Sequence, residues 1–307
     1  MYPIKRILVG LDLSDMDDDL IHWAGFIAKY SEVERIYFVH VVRDLEIPDD
    51  ILEEFPDLKE PADEKILEQM QARVKKHLDP SDYGGKINFD VKEGSAVRNF
   101  MKFVKVKHID VIVLGKKIKS VGGGLMVGKL GRGATCGLMI VPEGSTAEIR
   151  RILVPIDESQ HTEYALKRAV LLAKNLEPNP ELICQNIYKI PEGYHKTGKT
   201  YMQFARIMKK HAHDFFIKLT HKLDMTGLNV QEKYTLDSDR HPVADILKVA
   251  AQQKVNLILI GAKAITPARA FFKRNVAEKL VTENTHFPIF IVRPRKKEGL
   301  VQGIKNL

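Results

Sequence analysis

The sequence predicts an α/β protein of two similar doubly wound domains, each a five-stranded parallel sheet flanked by helices. Three observations carry this. The chain repeats itself, short apolar runs alternate with helical stretches inside each repeat, and 307 residues suffice for two domains at roughly 100–200 residues each. Lys5-Arg6-Ile7-Leu8-Val9-Gly10-Leu11-Asp12-Leu13-Ser14 returns as Arg150-Arg151-Ile152-Leu153-Val154-Pro155-Ile156-Asp157-Glu158-Ser159. Ile109-Asp110-Val111-Ile112-Val113-Leu114-Gly115 returns as Val255-Asn256-Leu257-Ile258-Leu259-Ile260-Gly261, and Gly137-Leu138-Met139-Ile140-Val141-Pro142 matches Pro288-Ile289-Phe290-Ile291-Val292-Arg293-Pro294. The order is kept, so a domain has been duplicated. The boundaries expected are 1–145, 146–294 and a basic tail over 295–307, with Pro142-Glu143-Gly144-Ser145-Thr146 as the linker.

In the first repeat, Arg6–Leu11, Arg35–Val41, Lys86–Val91, Asp110–Leu114 and Leu138–Val141 are rich in Val, Ile and Leu, as strands buried on both faces must be. Asp17–Tyr30 places Leu20, Trp23, Ala24, Ile27 and Ala28 on one helical face. Ala62–Leu78, Ala96–Val106 and Leu125–Gly133 complete the helices of that repeat; the second follows suit, with a longer helix around Tyr201–Leu223. In such a layer ligands bind at the carboxyl ends of the strands, where strand order reverses.

Composition narrows the function. Apolar residues at 44% and charged residues at 29% describe a globular chain, and no run reaches the roughly 18 apolar residues of a membrane span. The N-terminus lacks a secretion signal, so a cytoplasmic location is expected. Cys136 and Cys184 are far apart and form neither a disulfide framework nor a zinc motif. Up to Ala147 there are 21 Lys and Arg against 24 Asp and Glu; the remainder has 27 against 16. The charges are scattered, with no nucleic-acid recognition signature among them.

One constellation points to chemistry. Asp12 ends the first strand, and Gly115-Lys116-Lys117-Ile118-Lys119-Ser120-Val121-Gly122-Gly123-Gly124 leads from the fourth strand into a helix. A carboxylate there suits a base or ribose, while a glycine-rich turn offers backbone N–H groups and a helix dipole to phosphate. A flexible lysine-bearing surface loop is the competing reading. Gly123-x-x-x-x-Gly128-Lys129 is not a P-loop, because Leu130 stands where a hydroxyl would ligate magnesium. The first turn lacks Gly-x-Gly-x-x-Gly, which argues against a dinucleotide oxidoreductase.

The duplicated Ile-Leu-Val-x-x-Asp-x-Ser opening, the fourth strand ending in glycine and the closing helix-strand-Pro segment resemble the universal stress protein family, as a tandem two-domain member. The resemblance implies strand order 3-2-1-4-5 and, in many members, ATP or AMP binding. It places Asp12 at the base-contacting acid, Leu11 in the pocket lining, Val41 at a second-strand backbone contact to adenine, and Gly115 at the first loop glycine. Lys117 falls where the family often has Arg, Gly122, Gly123 and Gly124 form the phosphate cradle, and Leu125 replaces its hydroxyl residue. Ile118 replaces the second glycine, and the loop is about four residues short.

The second repeat keeps Asp157 and Gly261, but its loop reads Ala262-Lys263-Ala264-Ile265-Thr266-Pro267, with Arg274-Asn275 in the Gly-Ser place. No nucleotide is expected there. His211 and His213, two apart on a helix, diverge by about 200° and cannot share a metal unaided. Asp15-Met16-Asp17-Asp18-Asp19 suits a helix start better than a metal loop. No nucleophile–base–orienter set emerges, so at most slow ATP hydrolysis is expected. The function expected is stress-linked ligand sensing or protein interaction, with ATP or AMP and magnesium in the first domain. The alternative is a scaffold or dimerisation protein with vestigial pockets. The resemblance implies that the last strands, Leu138–Val141 and Ile289–Val292, pair about a two-fold axis, within one chain as a pseudo-dimer or between copies as a homodimer.

Overall fold

The computed structural model describes residues 3–42, 54–55, 63–78, 84–117, 123–262, 276–284 and 286–294. The chain forms two compact units, one built on residues 2–130 and 141–147, the other on residues 131–140 and those from 148 onward. The fifth strand of the first repeat thus falls mainly in the second unit.

In the first unit, β1 (Arg6–Leu11), β2 (Arg35–Val42), β3 (Lys86–Glu93) and β4 (Val111–Lys116) form a parallel sheet in the order β3-β2-β1-β4. Its helices are α1 (Met16–Lys29), α2 (Asp63–His77), α3 (Ala96–Val106) and α4 (Gly123–Gly133), the last carrying the chain into the second unit. The central strands are buried on both faces: Ile7, Leu8, Val9, Ile112 and Val113 have no exposed surface. Edge strand β3, with its lysines and acids, is half exposed, as an edge must be to avoid further pairing.

The second unit contains β5 (Gly137–Pro142) through Ile140, then β6 (Arg151–Ile156), β7 (Glu181–Tyr188), β8 (Val230–Leu236), β9 (Leu257–Gly261) and β10 (Ile289–Val292), in the order β5-β10-β9-β6-β7-β8. The second repeat accordingly shows the full order 3-2-1-4-5, all parallel. Strand β10 pairs antiparallel with β5, Phe290 opposite Met139. Its helices are α5 (Gln160–Asn175), α6 (Tyr201–Thr220), α7 (Pro242–Gln252) and α8 (Val276–Glu283), with a short 3-10 turn over Glu192–Thr197. Helix α6 opens on a capping box, in which Thr200 Oγ1 accepts from the Gln203 N–H and the Gln203 side chain returns the bond.

Several boundaries differ from the sequence expectation for a physical reason. Strand β4 starts at Val111, one residue late, because the Asp110 carboxylate turns back to accept the N–H groups of Lys5 and Arg6 at 2.8 and 2.9 Å. It also runs on through Gly115 and Lys116, so those residues end a strand and do not open a loop. Helix α4 starts at Gly123, two residues early, and α6 stops at Thr220.

Arg293, 1% exposed at the end of β10, donates to the carbonyls of Gly131, Ala134 and Cys136, closing the turn from α4 into β5. Three charge-assisted bonds to otherwise orphaned carbonyls offset the cost of burying the guanidinium.

Two glycines hold equivalent posts at the ends of β4 and β9. A Cβ on Gly115 would lie 2.5 Å from Met16 Sδ, and one on Gly261 would collide with the His161 carbonyl. Each is pressed by the first turn of its own repeat's leading helix, α1 or α5. Side-chain sulfur can move aside; backbone cannot. Gly261→Ala should therefore destabilise the protein by about 3 kcal/mol and Gly115→Ala by about 1 kcal/mol. Urea midpoints of the two variants check the order.

Candidate functional site

The site expected from the sequence lies at the carboxyl ends of β1, β2 and β4. Leu11, the last residue of β1, is buried at 4% exposure and forms part of the floor together with Met16 and Gly115. Asp12 follows and points outward, its side chain 58% exposed. Its Oδ1 accepts the Ser14 hydroxyl at 2.5 Å and the Ser14 N–H at 3.1 Å, an Asx turn that the Asp-x-Ser spacing encodes. Its Oδ2 accepts Lys117 Nζ at 2.6 Å. Asp12 and Lys117, far apart in sequence, are therefore in direct contact.

The turn between β1 and α1 is tightly held. Leu13 takes a left-handed φ of 64°, costly for a residue with a bulky side chain. The Asp17 carboxylate stabilises that conformation by accepting the Asp12 N–H at 3.0 Å and the Leu13 N–H at 2.8 Å. His40, near the end of β2, donates from Nδ1 to the Leu11 carbonyl at 3.0 Å; an acceptor-only partner fixes that nitrogen as the protonated one. Val41 follows it, half-buried.

Burial opposes ionisation of Asp12, yet the Lys117 ammonium together with the Ser14 hydroxyl and amide holds its carboxyl below the usual range. Asp17 goes the other way. Burial is the largest influence and outweighs the two backbone donors, pushing it up to about 6, with Asp12 adding like-charge repulsion. Burial lowers Lys116. The crevice thus carries an ionised carboxylate at its rim over a second carboxyl tuned toward neutrality.

Gly123, Gly124 and Leu125 form the first turn of α4, where backbone N–H groups lack partners within the helix. Gly122 and Ile118 lie outside the described residues. Gly115 has its own reason to be glycine, the approach of Met16, independent of any phosphate. The Leu11–Asp12 end offers a carboxylate, and the start of α4 offers backbone N–H groups.

The second repeat repeats the turn with different chemistry. The Asp157 Oδ1 accepts the Ser159 hydroxyl and N–H, and Thr162 stands in the place of Asp17: its hydroxyl accepts the Asp157 N–H at 3.0 Å and donates to Asp157 Oδ1 at 2.6 Å. Residues 263–275, including Pro267 and Arg274-Asn275, lie outside the described residues. His211 pairs with Glu158 at 3.2 Å, while His213 faces Glu232 and Tyr234. Among the described residues no group of three His, Cys, Asp or Glu side chains is disposed to hold a metal. Both cysteines are buried, and burial pushes their thiols up to about 12.

The family model for universal stress proteins matches residues 3–142 and again residues 148–293. The chain belongs to the universal stress protein family. A universal stress protein of Methanocaldococcus jannaschii is 23% identical over 149 residues, covering 48% of this chain and 85% of its own length. A solved universal stress protein from Archaeoglobus fulgidus covers 95% of this chain and 99% of its own, at 17% identity and a TM-score of 0.64. A functionally unknown protein from Pseudomonas aeruginosa covers 99% of this chain and 97% of its own, at 11% identity and a TM-score of 0.63. These likenesses establish the fold of a tandem universal stress protein. Among the described residues no helix is long and apolar enough to cross a membrane.

Sequence reasoning missed His40 and Asp17 as supports of this turn. Asp17 had a signal in the repeat itself: the residue five after each strand-end aspartate, Asp17 or Thr162, carries an oxygen acceptor. With its folded value raised above the ordinary 3.8 to about 6, Asp17 binds a proton more readily folded than unfolded. Stability from this group is thus full at low pH and is lost as pH rises through that window. Relative to Asp17→Asn, the native protein should lose about 2 kcal/mol between those limits, checked by denaturant titration across the pH range.

Proposed function

We propose that this tandem universal stress protein is a nucleotide-responsive binding protein whose first repeat takes ATP or AMP, with magnesium in the case of ATP. The observation that carries the reading is the Asp12 carboxylate at the end of β1, ionised, partly exposed and 2.6 Å from the Lys117 ammonium. A base or ribose offers hydrogen-bond donors to such a carboxylate, and Lys117 is free to turn from Asp12 to a phosphate. The first-turn N–H groups of α4, opened by Gly123-Gly124, add a positive end to the same crevice. The strand order reverses between β1 and β4, where a doubly wound layer places its ligands.

The reading is one of binding and response. The second repeat lacks the carboxyl beneath its turn, having Thr162 where the first has Asp17. It serves as the partner module in this reading.

The test is equilibrium titration of the whole protein with ATP and with AMP, magnesium present. Binding in the micromolar range is expected, weakened about ten-fold or more by Asp12→Ala and made less salt-sensitive by Lys117→Ala. Absence of binding at millimolar nucleotide overturns the proposal in favour of a scaffold with a vestigial pocket. Turnover well above that of Asp12→Ala would make the protein an enzyme instead.

A further inference from the structure

At the opposite end of the second repeat's sheet, where β6, β7, β8 and β9 begin, lies a cavity of about 450 Å³ lined by Arg150, Arg151, Asn179, Glu181, Asn229, Lys254 and Asn256. Small-ligand sites fall at roughly 300–1,000 Å³. We infer that this cavity is a second binding site, for a small phosphate-class oxyanion such as inorganic phosphate or a phosphomonoester.

The donors carry the inference. Asn256 Oδ1 accepts the N–H groups of both Arg150 and Arg151 at 3.1 Å, which fixes the amide orientation and leaves its nitrogen, a donor only, for the cavity. Asn179 and Asn229 add two more amides, and Asn229 is held in place by its own carbonyl, which accepts the Leu182 N–H at 2.8 Å. The acids nearby are matched: Glu181 by Arg151 at 3.1 Å and Glu148 by Arg150 at 2.6 Å. Lys254 brings the surplus positive charge. It stands in a left-handed turn, φ 51°, just beyond α7.

The first repeat supplies the internal comparison. There the residue equivalent to Asn256 is Asp110, which performs the same backbone task on Lys5 and Arg6 but is a carboxyl. The residue equivalent to Lys254 is His108, which keeps the same left-handed turn, at φ 52°. Duplication therefore retained the backbone geometry while the second copy exchanged an acid for an amide and placed a lysine beside it. A carboxyl opposes an oxyanion; an amide and an ammonium hold one.

The experiment is calorimetric titration of the full chain with inorganic phosphate and, separately, with glycerol 3-phosphate in chloride buffer. The side-chain amide resonance of Asn256 is followed in parallel. Asn256→Asp is the decisive variant, because the first repeat folds with that residue in place and the backbone acceptor is kept. Millimolar or tighter binding is expected, weakened about ten-fold or more by Asn256→Asp and by Lys254→Glu, and unchanged by Asp12→Ala. Tighter binding of glycerol 3-phosphate than of phosphate would identify a phosphomonoester as the occupant; equal binding would identify the free ion. No heat at about 10 mM of either anion overturns the inference. Undiminished binding by both variants overturns it as well, as does loss with Asp12→Ala alone, which would return the anion to the first repeat's crevice. Because nucleotide binding at Asp12 is read separately, the failure of either proposal leaves the other standing.

Discussion

The structure depends on one close approach made twice: the first turn of a helix pressed onto the glycine that ends the fourth strand of each repeat. Met16 sits against Gly115 and the His161 backbone against Gly261. A side chain at Gly261 would lift the helix from the sheet and move the turn that presents Asp157, whereas one at Gly115 would displace the Met16 side chain beneath the turn of Asp12. The contact explains why a glycine stands at these positions without reference to any ligand. It also fills the floor of the crevice, so a ligand there must lie across the rim, where Asp12 and Lys117 already face one another.

Around that fixed point the two repeats have diverged by single side chains. Asp17 and Thr162 brace the same turn, the first with a buried carboxyl and the second with a hydroxyl that both accepts and donates. Asp110 and Asn256 tie the first strand of each repeat to the fourth through the same pair of N–H groups. The Asp110/Asn256 exchange keeps both backbone hydrogen bonds, and the Asp17/Thr162 exchange keeps the one to the strand-end aspartate N–H. The loss of such a bond in a buried setting would cost about 1–3 kcal/mol. Each exchange changes what the remaining atom offers to a visitor. Duplication thus left the scaffold constant and moved the electrostatics, acid toward the crevice in one repeat and amide toward the opposite edge in the other.

The fold was legible because its signals are local and repeated. Apolar runs such as Ile7-Leu8-Val9 and Ile112-Val113 mark strands that no half-exposed strand could tolerate, and their return after one domain length marks the duplication. The site was legible only where spacing encodes it. Asp12 with Ser14 is an Asx turn that sequence can read; Gly123 and Gly124 mark the start of α4. The ends of β4 and α4 were misplaced by one or two residues, since the Asp110 side chain and the Gly123 backbone choose partners distant in sequence or intrinsically ambiguous.

Sequence by itself determined the class of fold, the doubling, the strand-end aspartates and the absence of stock catalytic motifs, all of which follow from periodicity and short-range chemistry. Tertiary structure alone decided that Lys117 meets Asp12, that His40 holds the Leu11 carbonyl, that Arg293 is spent on three carbonyls, and that Asn256 Oδ1 takes the N–H groups of Arg150 and Arg151. These are contacts between residues roughly 30 to 160 positions apart, or orientations set by them, and no local pattern carries their geometry.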